Sequence, residues 1–208
     1  METYSRDCQD VFVSLITEKK LNGTYVEIGA NHPVTGNNTF LFEKLYQWRG
    51  IMVEIDSSFT DQYKATRPNS YHIIADASKV DYKQALINNS MPKNIDYLQI
   101  DLEVENMSTL TCLYNLDNNV FDEYKFAVVT FEHDFYRGDF FDTLKISRRI
   151  FEKRGYKRVF SNVMYKGLDF EDWYIHPDLV KIDIPIGDHV DCQEIVRILD
   201  NLSYKLDK

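Results

Sequence analysis

Residues 24–38, TYVEIGANHPVTGNN, decide the fold. An apolar, β-branched run climbs to Gly29, the chain then breaks into a polar loop, and helical spacing resumes from 38 to 48 with Phe42, Leu45 and Tyr46 on one side. A short buried strand, Thr24–Gly29, that turns directly into a helix is the opening of a βα unit. Gly29 lets the backbone pass close to a ligand, although a purely structural glycine at a strand-to-loop junction would look the same. A dinucleotide fingerprint would need two more glycines, and Asn31 and Val34 hold those positions. A pyrophosphate is therefore disfavoured, and a nucleoside without phosphates fits better.

Working outward, the same alternation repeats. Residues 5–20 carry Cys8, Val11, Phe12, Leu15 and Ile16 at helical spacing, and Asn22–Gly23 stops that helix. Ile51–Ile55, Tyr71–Ile74, Ile95–Ile100 and Lys125–Phe131 read as further strands, with helices over 57–66, 81–88, 107–117 and Asp139–Lys153 between or after them. Tyr156–Val163 and Met164–Tyr174 read as two strands joined by a turn, and an amphipathic stretch runs from Asp191 to Leu202. Five strands separated by helices imply parallel βαβ units with right-handed crossovers. The last pair, with no helix between, implies an antiparallel addition at the sheet edge. The whole chain, 1–208, reads as one domain: an N-terminal helix in 1–21, a core over 22–178 and a C-terminal strand and helix in 179–208.

Composition narrows the function. With 24 Lys+Arg against 33 Asp+Glu the net charge is −9, which disfavours nucleic acid and anionic membranes as partners. The basic cluster Arg148, Arg149, Lys153, Arg154, Lys157 and Arg158 reads as a solvated helix face. Three scattered cysteines, Cys8, Cys112 and Cys192, without CxxC argue against a disulfide framework or zinc site and suit idle thiols in a reducing compartment. No apolar run spans a bilayer and no signal pattern opens the chain, so a cytoplasmic location is expected.

In open α/β sheets ligands gather at the carboxyl ends of the strands. After the second strand, Glu54 stands 25 positions beyond Gly29, placed to bond ribose hydroxyls, with Asp56 just leaving the strand end. After the third comes Asp76, which could read an adenine edge or serve as a helix cap. After the fourth and fifth come Asp101-Leu102-Glu103 and Glu132-His133-Asp134. Neighbouring strands lie about 4.8 Å apart, so Asp101 and Glu132 should converge. Two such carboxylates need a proton or a cation between them: an acid/base pair, or a site for Mg²⁺ or Mn²⁺. The alternative is a pair of solvated loop carboxylates. His133 is a candidate general base or a satisfied loop histidine. His32, in the first loop, is a candidate for the substrate side, whereas His72, His176 and His189 share no metal spacing.

TYVEIGANHPVTGNNTFLFE at 24–43, IMVEID at 51–56, HIIADAS at 72–78, NIDYLQIDLE at 94–103, VVTFEHD at 128–134 and FEDWYIHP at 170–177 resemble, in order and spacing, the FkbM-type branch of class I S-adenosylmethionine-dependent methyltransferases. The resemblance covers about residues 22–178; Val104 departs from the glycine found there in many members. It implies a Rossmann-like three-layer α/β fold with a seven-stranded, mostly parallel sheet whose last strand is antiparallel. It implies that Glu27, Gly29 and Asn31 surround the methionine part of S-adenosylmethionine, that Glu54 takes the ribose, and that Asp76 and Ala77 meet the adenine, with Ala30 and Asp56 among the cofactor's surroundings. Asn38 and Thr39 match the family's Asn-Thr start of the next helix, and Asp101 closes the site near the sulfonium.

The expected activity is O-methylation of a hydroxyl on a sugar, glycan or similar small molecule. A divalent cation held by Asp101 and Glu132 would lower the pKa of the hydroxyl, and His133 or Asp134, or Asp101 itself, would accept its proton. Glu103, Tyr165 and Asp172 are candidates for the acceptor side, with Asp169, Trp173 and Tyr174 beside them; Trp173 and Tyr174 could equally be packing residues. A monomer or homodimer is expected. A non-catalytic nucleoside- or protein-binding domain, an NAD enzyme and a protein side-chain methyltransferase are the competing readings.

Overall fold

The computed structural model describes residues 2–138 and 140–206. The elements are α1 (Gln9–Ile16), β1 (Thr24–Ile28), α2 (Phe40–Tyr46), β2 (Arg49–Glu54), α3 (Thr60–Thr66), β3 (Tyr71–Ile74), α4 (Tyr82–Asn88), β4 (Asn94–Ile100), α5 (Ser108–Asn119), β5 (Lys125–Glu132), α6 (Phe141–Lys153), β6 (Lys157–Tyr165), β7 (Leu168–Ile175), β8 (Gly187–Asp188) and α7 (Cys192–Leu206). The expected start of the sixth helix, Asp139, lies outside the described residues.

The strands form one eight-stranded sheet in the order β3-β2-β1-β4-β5-β7-β6-β8. β1 to β5 are mutually parallel, and β7 is antiparallel to both its neighbours. The central strands β1 and β4 are buried almost end to end, as parallel strands covered on both faces must be. Alternate residues feed two separate cores. Val26, Ile28 and Val129 join Leu86, Leu113 and Phe151 of α4, α5 and α6. Tyr25, Tyr97 and Val128 join Phe12, Phe42, Tyr63 and Ile195 of α1, α2, α3 and α7. This three-layer, Rossmann-like arrangement is the one the sequence predicts.

The β6–β7 hairpin turns at Lys166 and Gly167, both with positive φ, and adds antiparallel on the β5 side of the parallel strands, as the sequence predicts, with β7 next to β5. Two expectations need correction. The sheet gains an eighth strand, the two-residue β8 on β6, too short to carry a sequence signal. Finally, the N-terminal helix is shorter than 5–20. Before Gln9 the chain is held in a non-helical conformation by Asp10, whose carboxylate accepts from Thr3 Oγ1 (2.7 Å), Tyr4 N (2.7 Å) and Ser5 Oγ (2.6 Å).

That segment also overturns the reading of the cysteines. Cys8 and Cys192 form a disulfide with Cα atoms 5.7 Å apart, tying the start of α1 to the start of α7, while Cys112 is free and buried. A pairing across 184 residues is set by how α1 and α7 pack, which spacing cannot reveal. Among the described residues no helix is long and apolar enough to cross a membrane.

Candidate active site

A continuous trough runs over the carboxyl ends of β1, β2, β4 and β5, and Gly29 borders all of it. At its inner end lie Glu27, Asn31, Asn38, Asp101 and Glu132, walled by Tyr136, Tyr165 and Phe170. The middle is bounded by Glu54, Asp56, Glu103 and Asp134. The outer end is a smaller, more apolar hollow between Val53, Ile55, Ala77 and Leu102, with Asp76 at its side.

Gly29 is what keeps the trough open. Its φ is +81°, and a Cβ built there would stand 1.7 Å from the Asp101 carbonyl oxygen. The ends of β1 and β4 thus touch backbone to backbone, locked by the Asp101 N–H donating to Ile28 O at 3.0 Å. The next residue but one, Asn31, is left-handed (φ 48°); its N–H donates to Glu54 Oε2 at 2.6 Å and its carbonyl accepts from Tyr63 Oη at 2.6 Å. Glu54 therefore faces the trough with one oxygen already orienting the loop.

Glu27 is buried beneath this loop and accepts from Asn37 Nδ2 (3.1 Å), Asn38 N (3.1 Å) and Thr39 Oγ1 (2.8 Å). Burial is the larger influence and raises its pKa. Behind it, Arg67 is shielded from solvent and bonds Glu43, Asn37, Thr39, Tyr25 and the Pro33 carbonyl. A buried guanidinium with every arm engaged fixes the loop from 33 to 39 in one shape. The sequence reading passed over Arg67, because nothing around it marks it from a surface arginine.

Ile100 pairs with Phe131, so Asp101 and Glu132 leave adjacent strands side by side. Burial pushes both carboxyls up in pKa, and the neighbouring Asp101 charge pushes Glu132 up further. Among the described residues no group of three or more His, Cys, Asp and Glu side chains could hold a metal ion. Asp101 and Glu132 alone would leave most of a Mg²⁺ or Mn²⁺ shell to water and acceptor oxygens.

The trough gathers Glu27, Gly29, Ala30, Asn31, Asn38, Glu54, Asp56, Asp76, Ala77, Asp101, Glu103, Glu132, Asp134 and Tyr165 from the sequence candidates. Thr39, His32, His133 and Asp172 are outside its lining. Thr39 sits behind Glu27. His32 Nδ1 accepts from Val34 N and Thr35 N, and its ring meets Phe59 edge-on. His133 is fully buried: Nδ1 accepts from Phe135 N at 3.2 Å, and Nε2 stands 3.5 Å from Asp172. Asp172 is equally buried and accepts from Arg148 at 2.6 and 2.9 Å. Burial alone would raise the Asp172 pKa, but His133 and Arg148 outweigh it and hold the carboxyl below the usual range. Asp56 and Asp76 each accept from the N–H two residues on, so both cap short turns as well as bordering the trough. Asp134, left-handed at φ 48°, pairs with Arg137 at 3.0 Å.

Strand-end reasoning also left out a group that reaches the trough from elsewhere. Arg6, Asp7 and Gln9, from the segment pinned by the disulfide, cover the inner end. Gln9 Nε2 donates to Glu171 at 3.2 and 3.3 Å, as does Trp173 Nε1 at 2.5 Å. Glu171 lies directly across from Glu132 in the β5–β7 ladder, and burial pushes it up to about 8.

The strand order and layers are those of the class I methyltransferase fold. The TehB-like S-adenosylmethionine-dependent methyltransferase of Corynebacterium glutamicum superposes with TM-score 0.54 and 13% identity over 83% of this chain and 89% of that one. TrmK of M. capricolum, solved in complex with S-adenosylhomocysteine, gives TM-score 0.50 and 13% identity over 88% and 73%. The METTL16 methyltransferase domain gives 0.54 and 9% over 79% and 64%. No protein-family model matches the sequence, and no curated protein matches it.

Proposed function

We propose that this chain is an S-adenosylmethionine-dependent O-methyltransferase of FkbM-like type, acting on a hydroxyl of a sugar or similar small acceptor. The observation that carries the reading is the Asp101–Glu132 pair at the inner end of a nucleoside-sized trough, walled by three aromatic rings. Carboxylates beside flat rings suit a polyol: the former accept from its hydroxyls and the latter stack on its apolar face.

The cofactor, when bound, supplies a methyl group on positively charged sulfur. The chain's own residues do the rest. Gly29 admits the ligand against the backbone, Glu54 and Asp56 meet ribose hydroxyls, and Asp76 with Ala77 borders the base. Asp101 and Glu132 hold the acceptor hydroxyl and take its proton; burial raises both carboxyls and the Asp101 charge raises Glu132 further, which makes them better proton acceptors. Asp134 flanks the pair, and His133 with Asp172 and Arg148 holds the β5 end in place from behind. Glu103 and Tyr165 border the acceptor. Mg²⁺ or Mn²⁺ on Asp101 and Glu132 is the metal-assisted version. We further take the protein as a monomer or homodimer serving a small-molecule or glycan acceptor, rather than nucleic acid or a membrane; the Cys8–Cys192 disulfide counts against the reducing cytoplasm expected from the sequence.

The test is calorimetric titration with S-adenosylhomocysteine, with NAD as control, followed by methyl transfer to a panel of sugars with and without EDTA. Saturable binding and transfer that Asp101→Asn lowers by a hundredfold or more, with product affinity kept within threefold, are expected. Binding without transfer to any acceptor favours a non-catalytic nucleoside-binding domain; NAD binding revives the oxidoreductase. Full activity in EDTA removes the metal from the mechanism.

A further inference from the structure

The inner end of the trough is strongly acidic. Asp7, Glu27, Asp101 and Glu132 all border it, and Arg6 is the one cation among the described residues of its lining. The other arginines near the site are committed: Arg137 to Asp134 and Glu105, Arg148 to Asp172, Arg67 to the loop above Glu27. The Arg6 guanidinium makes no hydrogen bond or close ion pair among the described residues, although its charge acts on Asp7 and Asp101, and it is exposed at the rim where the inner and middle parts meet. Its backbone is not free to wander. Asp10 holds Thr3, Tyr4 and Ser5 on one side of it, and the Cys8–Cys192 disulfide holds the other. The result is a fixed stem carrying a fork of five donors, none of them hydrogen-bonded among the described residues, above an acidic hollow.

The amino-acid end of S-adenosylmethionine carries two cationic centres and one carboxylate. The cationic centres find carboxylates on every side, but the anion meets repulsion unless a cation answers it. Resting on the cofactor reading above, we infer that Arg6 is the counter-ion of the cofactor's carboxylate, so that a residue ahead of the first helix, outside the strand ends, completes the cofactor site. A planar guanidinium matches a carboxylate with two parallel hydrogen bonds, which a lysine ammonium cannot reproduce.

The test compares two ligands on the intact protein: S-adenosylhomocysteine and its decarboxylated analogue, S-adenosyl-3-thiopropylamine. Arg6→Met should weaken the first about tenfold or more, the loss of a charge-assisted contact, and leave the second within twofold. Arg6→Lys should fall between wild type and Arg6→Met for the first ligand only. Unchanged thermal unfolding confirms that the variants fold, and Arg6→Lys serves as the folded reference if Arg6→Met does not. Equal weakening of both ligands, or of neither, overturns the assignment while leaving the cofactor reading standing. Failure of the wild-type chain to bind S-adenosylhomocysteine overturns both.

Discussion

Gly29 shows how much one position can demand. Its left-handed backbone disfavours any side chain by about 1–2 kcal/mol, and a methyl group there would collide with the Asp101 carbonyl at 1.7 Å. Gly29→Ala must therefore push β1 and β4 apart at the point where both border the trough. We expect a loss of more than about 3 kcal/mol of stability by urea unfolding, together with loss of S-adenosylhomocysteine binding. The glycine was legible in the sequence as a turn at a strand end, and so were the carboxylates that follow each strand. What could not be read was which of two neighbours faces the ligand. Successive strand residues point to opposite faces; Glu132 turns toward the trough and His133 is buried against Asp172. Residue type named both as candidates, and only the direction of the chain at the β5 end separates them.

At the level of elements, the strands emerged nearly as predicted, because apolar runs of four to eight residues between breakers are a local signal. The N-terminal segment did not, because its conformation is dictated by Asp10 and by a cysteine on α7. The disulfide closes almost the whole chain into a loop; chain-entropy arguments give about 5 kcal/mol for a loop of this length, and bridges typically deliver about 2–4 kcal/mol. Cys192→Ser should lower thermal stability accordingly and, by freeing the stem of Arg6, weaken S-adenosylhomocysteine more than its decarboxylated analogue. Thiol titration of the unfolded wild-type protein without reductant should find one thiol, Cys112, rather than three. Three thiols, or a stability indifferent to Cys192→Ser, would remove the tether. The β6–β7 hairpin makes the same point: its two strands were visible in the sequence, but its insertion beside β5 depends on pairings such as Thr130 with Trp173, far apart in the chain.

For the molecule as a whole, the carboxylates that gather at the sheet ends tie stability to pH. Glu171 has its pKa raised by burial from 4.5 to about 8. Between those values the folded protein keeps a proton that the unfolded chain has lost, so this group makes stability fall as pH rises through the window. Asp101 and Glu132, raised in the same direction, add to the trend. Asp172, held low, contributes stability that is lost only below the ordinary Asp range and is constant here. Urea unfolding at pH 5.5 and 8 should show the protein weaker at pH 8, and Glu171→Gln should narrow the difference; a slope that the substitution leaves unchanged would mean that Glu171 is not the group responsible. The sequence by itself determined the layered α/β plan, the residues that end each strand and the acidic character of the trough, since these follow from local periodicity and composition. The tertiary structure alone decided that β7 lies between β5 and β6, that Cys8 meets Cys192 and that Arg6 reaches the inner end of the trough. Each of these joins residues distant in the chain, and a contact of that kind is set by packing across layers, which no local pattern encodes.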